Sequence, residues 1–140
     1  MEMPRAVRDD FSTAEVARVA EFRAALRQFM RASERIARKS GLTPQRHLLL
    51  LMIKGAPDAR ESSTVTELAQ RLQLAQSTVT ELVRRAEEAG LVERERSEDD
   101  ARVAHLKLTS EGERRLRESF RSHDREREEL LRVFTHLEDE

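Results

Sequence analysis

Residues 64–90 read TVTELAQRLQLAQSTVTELVRRAEEAG and hold two short helical patterns separated by the brief break QLA at 73–75. Thr64 with Glu67, or else Thr66, marks the first start, because a threonine hydroxyl satisfies an amide three residues on and a glutamate there reaches back. Val65, Leu68, Ala69 and Leu72 recur at steps of three and four, which places them on one helix face. A second helix is predicted from about Gln76 to Ala89, with Gly90 to stop it. Its Val79, Leu82, Val83 and Ala86 share one side and can pack on the first helix. Ala69 is small where the two must cross closely. The opposite side presents Gln76, Ser77, Thr80, Glu81 and Arg84, with Thr78 on a flank. Together they spell a helix–turn–helix.

On the C-terminal side, LVERER (91–96) and RVAHLKL (102–108) flank the bend SEDD (97–100), a hairpin signature. Ala104, Leu106 and Leu108 alternate inward against His105 and Lys107 outward. Thr109 or Ser110 then caps one long helix over 110–137. Its stripe of Leu116, Phe120, His123, Arg127, Leu130, Phe134 and Leu137 is nearly a heptad seam, with two polar interruptions.

Towards the N-terminus, TPQRHLLLLMIKG (43–55) starts a helix with Thr43 as N-cap and Pro44 first, and Gly55 closes it. Residues 56–63, APDARESS, read as a loop. Before them, Ser12 and Glu15 form a capping box ahead of the stripe Val16, Val19, Phe22, Leu26, Phe29, Met30, Ser33, Ile36 and Ala37. That long helix spans 12–40 and ends near Gly41, behind an arm over 1–11. The expected fold is therefore mainly α with a small β-hairpin wing. It is a winged helix-turn-helix over 64–108, carried with long N- and C-terminal helices in a single domain over 1–140.

Composition agrees. Charged residues make up 38% of the 140 and aromatics 4%, with four glycines and three prolines, which favours charge-laced helices over a sandwich or barrel. Zero cysteines exclude disulfides, thiol redox sensing, iron–sulfur clusters and thiolate zinc. Histidines at 47, 105, 123 and 136 lack ligand spacing, so no metal is expected. The longest apolar run, Leu48–Ile53, is too short to span a bilayer, and MEMPRAVRDD is not a secretory signal. A cytoplasmic protein with no cofactor is the expectation. No nucleophile–base pattern, Gly-rich phosphate loop or paired carboxylates in an apolar setting appears, so an enzyme is not expected.

Short polar residues at a helix N-terminus let the backbone approach a major groove, bond phosphates and reach base edges. With the wing following, TVTELAQRLQLAQSTVTELVRRAEEAGLVERERSEDDARVAHLKLTSEG resembles the winged helix of the multiple-antibiotic-resistance regulator (MarR) family. STVTELV, GLVER and DDARVAHLKLTSEG carry the resemblance most specifically. Asp100 and Arg102 match the family's Asp-x-Arg wing motif, and Leu108, Thr109 and Gly112 match its closing Leu-Thr-x-x-Gly.

The resemblance implies a homodimeric transcription regulator, usually a repressor, on a pseudo-palindromic double-stranded DNA operator. A recognition helix at about 76–89 would enter the major groove and a wing at about 93–108 the flanking minor groove. DNA binding would fall to Gln76, Ser77, Thr78, Thr80, Arg84, Asp100 and Arg102. Arg102 would reach into the minor groove, whose negative potential attracts guanidinium, and Asp100 would orient it by a charge-assisted contact. Dimerisation would engage Val19, Phe22, Leu26, Leu130, Phe134 and Leu137. A small anionic aromatic or phenolic effector would meet Arg23, Arg46 and His47 and relieve repression.

Three residues depart from the family pattern. Ala75 stands where a serine cap is common, Gln73 where the turn often has glycine, and Glu81 where a neutral or basic residue is usual. Glu81 has three open roles: accepting from cytosine N4, pairing with Arg84 or Arg85, or weakening phosphate binding. The net charge is −1, and residues 64–108 hold seven Lys/Arg against nine Asp/Glu, so few phosphate contacts per subunit are expected. The alternative reading is a winged helix used for protein–protein contact without specific DNA binding.

Overall fold

A computed structural model describes residues 11–96 and 102–138. The elements in chain order are α1 (Thr13–Lys39), α2 (Pro44–Lys54), a 3-10 turn (Pro57–Ala59), α3 (Val65–Leu72), α4 (Gln76–Glu88), β1 (Val92–Arg96), β2 (Ala104–Leu108), α5 (Ser110–Ser122) and α6 (Asp124–Glu138). Two compact units divide at Ser33/Glu34 and at Ser122/His123.

The larger unit is a winged helix-turn-helix. Its core joins Leu49, Leu50 and Ile53 of α2, Leu68 of α3, Val79 and Val83 of α4, and Leu106 of β2, all fully buried. Burying a side chain of this size stabilises by roughly 1.5–3 kcal/mol. The wing strands pair antiparallel, with Val92 opposite Leu108, Arg94 opposite Leu106 and Arg96 opposite Ala104. Leu106 and Leu108 point inward as the alternation predicts, while Glu93–Arg96 of β1 are exposed.

Local start signals act as expected. The Ser12 hydroxyl accepts from the Glu15 amide at 3.1 Å and that of Thr43 from the Arg46 amide at 3.2 Å. Gly41 takes a left-handed φ of +76° just beyond α1, a conformation side chains disfavour.

The smaller unit holds α1 up to Ser33, His123 and α6. Phe22 meets Phe134 edge to face at 5.8 Å between ring centroids, and Phe29 lies 4.4 Å from the buried His123 ring.

One expectation fails in form. The C-terminal helix over 110–137 is not continuous but breaks at His123 into α5 and α6. The Ser119 hydroxyl donates back to the Leu116 carbonyl at 2.9 Å and that of Ser122 to the Glu118 carbonyl at 3.1 Å. Such back-bonding competes with the helix ladder and bends it. Asp124 and Glu126 in the first turn of α6 favour a new N-terminus there.

Candidate nucleic-acid interface

The helix–turn–helix is held by side-chain bonds that its sequence supplies locally. The Thr64 hydroxyl caps α3, accepting from the Glu67 amide at 3.2 Å. Arg60 grips the Glu67 carboxylate from outside, at 2.7 Å through Nη2, and holds it below the usual carboxylate range. Arg71 donates to the Met52 carbonyl at 2.9 Å, tying α3 to the end of α2.

The turn follows the departures read from sequence. Gln73 is left-handed, at φ 57° and ψ 46°, and its own side-chain amide donates to the Gln70 carbonyl at 2.6 Å. Ala75 starts α4 without a side-chain cap. The Gln76 side chain ties the start of α4 to α3 instead, donating to the Thr66 hydroxyl at 3.1 Å across the two helices.

Val79, Val83 and Ala86 of α4 are fully buried, and Ser77, Thr78, Thr80 and Arg84 are exposed on its other sides together with Gln76. This brings the predicted α4 site residues onto one surface. Charge pairing dominates that surface. Arg84 forks onto Glu81 at 2.6 and 3.0 Å and also bonds Glu88, while Arg85 reaches Glu81 at 3.1 Å. Bonding to Arg84 first, then Arg85, lowers the Glu81 carboxyl to about 2, and the same pairing raises Arg84. Pairing is thus one role that Glu81 fills.

Ion pairs tie the wing to α4 and its two strands to each other. Arg94 of β1 donates to Glu87 of α4 at 2.9 Å, and Lys107 lies 3.7 Å from Glu93 and 3.5 Å from Glu95. At its base the Thr109 hydroxyl donates to the Gly90 carbonyl at 2.6 Å and accepts from the Gly112 amide at 3.1 Å. Of the two cap candidates for α5, Thr109 fills the role. A methyl built on Gly112 would overlap the Leu91 carbonyl oxygen, which explains the glycine in the closing Leu-Thr-x-x-Gly. Arg102 is exposed just before β2, and Asp100 lies outside the described residues.

The other predicted residues fall as follows. Val19 and Phe134 are exposed at 59% and 49%, Phe22, Leu26 and Leu130 are half-buried, and the Leu137 side chain lies outside the described residues. Arg23 is exposed in the smaller unit, whereas Arg46 is half-buried and His47 buried in the larger one. The larger unit carries a cleft of about 320 Å³ lined by Leu51, Lys54, Gly55, Glu113, Leu116, Arg117 and Phe120, and neither Arg46 nor His47 lines it. Lys54 there bonds Glu113 at 2.7 Å and Glu61 at 3.1 Å. Among the described residues no group of histidines and carboxylates could hold a metal ion, and no helix is long and apolar enough to cross a membrane.

Sequence reading missed one structural pairing. Ser63, assigned to a loop, forms an antiparallel bridge with Leu106, the two amide–carbonyl bonds measuring 3.0 and 2.7 Å. It adds a third edge to the wing and holds the segment before α3 against β2. A single non-local pair leaves no periodic signal.

Residues 40–103 match the model of the MarR family. The chain is 34% identical over 74 residues to the organic hydroperoxide resistance transcriptional regulator of Bacillus subtilis (strain 168), covering 53% of this chain and 48% of that protein. It thus spans about half the length of the curated relatives it matches. AbsC, a MarR family transcriptional regulator from Streptomyces coelicolor, shares the fold at a TM-score of 0.66 and 22% identity, over 90% of this chain and 82% of that one. FabT of Streptococcus pneumoniae, solved in complex with DNA, is 31% identical at a TM-score of 0.56, over 64% of this chain and 60% of that one.

Proposed function

We propose, from the premise that this chain carries a MarR-family winged helix-turn-helix and is a transcription regulator rather than an enzyme, that it binds a specific double-stranded DNA operator as a homodimeric repressor. α4 enters the major groove and the wing with Arg102 enters the flanking minor groove. The observation that carries this is the face of α4. Ser77, Thr78 and Thr80 stand exposed on it, backed by fully buried Val79 and Val83, and the helix is fixed to α3 by the Gln76–Thr66 bond. Short hydroxyl side chains on a rigid helix suit close approach to base edges. The DNA complex of FabT supports the reading by likeness.

Dimerisation is supported by large apolar side chains left exposed in the smaller unit, namely Val16, Val19, Met30, Leu131 and Phe134, on the two helices that the resemblance assigns to the dimer. A homodimer would read two half-sites related by its two-fold axis. Release by a small anionic aromatic molecule belongs to the same proposal. The cleft between α2 and α5 offers it apolar lining from Leu51, Leu116 and Phe120, with Lys54 and Arg117 as cations beside Glu113.

The test is selection of bound fragments from random double-stranded DNA, followed by a salt titration of the winner. A pseudo-palindrome with half-sites about one turn apart and a clear salt slope is expected. Arg102→Ala should lose most of that affinity. No enrichment, with weak binding even at low salt, would replace this reading with a winged helix for protein–protein contact.

A further inference from the structure

Glu81 occupies an unexpected place. At about 100° per residue, Ser77, Glu81, Arg84 and Glu88 make up the centre of the stripe opposite the buried Val79, Val83 and Ala86. A carboxylate at the middle of a groove-facing helix should repel phosphate. Here its own helix answers that repulsion, since Arg84 and Arg85 together place three donors on it. These bonds compensate the charge and orient the carboxylate along its own helix.

The chemistry of an ionised carboxylate is restrictive. It accepts hydrogen bonds and donates none, and three donors leave room for a fourth among its roughly four lone-pair sites. With its pKa lowered to about 2 by Arg84 and Arg85, it stays an acceptor at any physiological pH. In the major groove, cytosine N4 and adenine N6 are the only donors, while guanine and thymine turn acceptors outward. Adenine sets its N7 acceptor beside the amino group, which opposes a carboxylate. Cytosine carries C5–H at the corresponding place on its own ring, so the only acceptor beside its amino group is O6 of the paired guanine.

We propose that Glu81 is a specificity-determining residue that accepts a hydrogen bond from N4 of a cytosine in each half-site, with Arg84 and Arg85 as positioning residues for its carboxylate. This rests on the DNA-binding reading above.

The full chain and its Glu81→Gln and Glu81→Ala variants are compared by selection on random duplexes, with circular dichroism confirming that each folds. The wild type should enrich cytosine at one position per half-site, with other bases there binding roughly tenfold to a hundredfold more weakly. Glu81→Gln should move that preference to adenine, because an amide bonds N6 and N7 together. Glu81→Ala should tolerate all four bases there while the other positions keep theirs. Arg85→Ala should blunt the cytosine preference without changing the base preferred, which a merely structural role would not do. If both Glu81 variants keep every wild-type preference and bind all duplexes more tightly with a steeper salt slope, Glu81 is a brake on phosphate binding and the proposal falls alone. If the wild type enriches no sequence, the DNA-binding reading falls and takes the proposal with it.

Discussion

Replacing Gly112 by alanine tests the joint between the wing and α5. Gly112 lies in the first turn of α5, where the Leu91 backbone passes close by. Three effects compete. Alanine favours a helix interior over glycine by about 1 kcal/mol. Against this, the new methyl would overlap the Leu91 carbonyl oxygen and stand 3.1 Å from its carbon, and these are backbone atoms with no flexible tip to swing aside. Overpacking of this kind costs about 1–3 kcal/mol. Any shift that relieves the overlap also strains the 3.1 Å bond from the Gly112 amide to Thr109, a further loss of about 1 kcal/mol. The balance is a destabilisation of about 1–3 kcal/mol. For a chain of 140 residues, an unfolding entropy of about 2.1 cal/mol/K per residue converts this to roughly 3–10 °C in Tm. Urea unfolding should show a lower midpoint at unchanged slope, with Glu118→Ala on the exposed side of α5 as reference, within about 0.5 kcal/mol of wild type. A Gly112→Ala protein as stable as wild type, or more so, would refute the close approach as the reason for this glycine.

Three further outcomes are expected. Ala75 has the extended backbone of an N-cap, φ −65° and ψ 148°, without a capping side chain. Ala75→Ser should therefore stabilise by about 1 kcal/mol, read as a raised urea midpoint. Leu106→Ala, at a fully buried position in the wing, should cost about 2–5 kcal/mol; a loss under 1 kcal/mol in the same assay would mean that the wing is not part of the core. Burial first, with Arg127 adding to it and Glu126 and a Phe29 backbone bond opposing, lowers the His123 pKa. The unfolded chain then takes up the proton first, so this contribution is full above a pH of about 6.5 and falls away as acid charges the imidazole. Melting at pH 7.5 and 5.5 should show a larger acid loss for wild type than for His123→Phe, and equal losses would exclude His123 as the source.

Much of the fold was legible because its signals are local. Ser12, Thr43 and Thr64 cap the helices they announce, and each does so within three residues of sequence. The left-handed turn at Gln73 was legible only through the family resemblance, which puts glycine at that place. The apolar faces of α3 and α4 followed from period alone. What the pattern concealed depends on distant or competing partners. The Ser63–Leu106 bridge joins residues far apart in the chain. The break at His123 was hidden because the apolar stripe runs through it, while the serine hydroxyls and the acidic restart that cause it are polar. For the interface, the exposed set Gln76, Ser77, Thr78, Thr80 and Arg84 was readable from periodicity, but the grip of Arg84 and Arg85 on Glu81 was one of three open choices. Rotamers decide such choices, and periodicity does not record rotamers.

The internal pairing on α4 also bears on how such a protein would find one address in a chromosome. Residence on random DNA scales with the phosphates that cations neutralise, and each exchanged counterion steepens the loss with salt. Arg84 and Arg85 already face carboxylates of their own helix, so under the proposed function they would contribute less to indiscriminate sticking than two unengaged arginines. Against the roughly 10⁶–10⁹ competing sites of a genome, occupancy follows the ratio of specific to random affinity rather than affinity itself. A reading helix that balances its own charge would bind each wrong site only briefly, so more of a small pool of molecules would remain available for the right one.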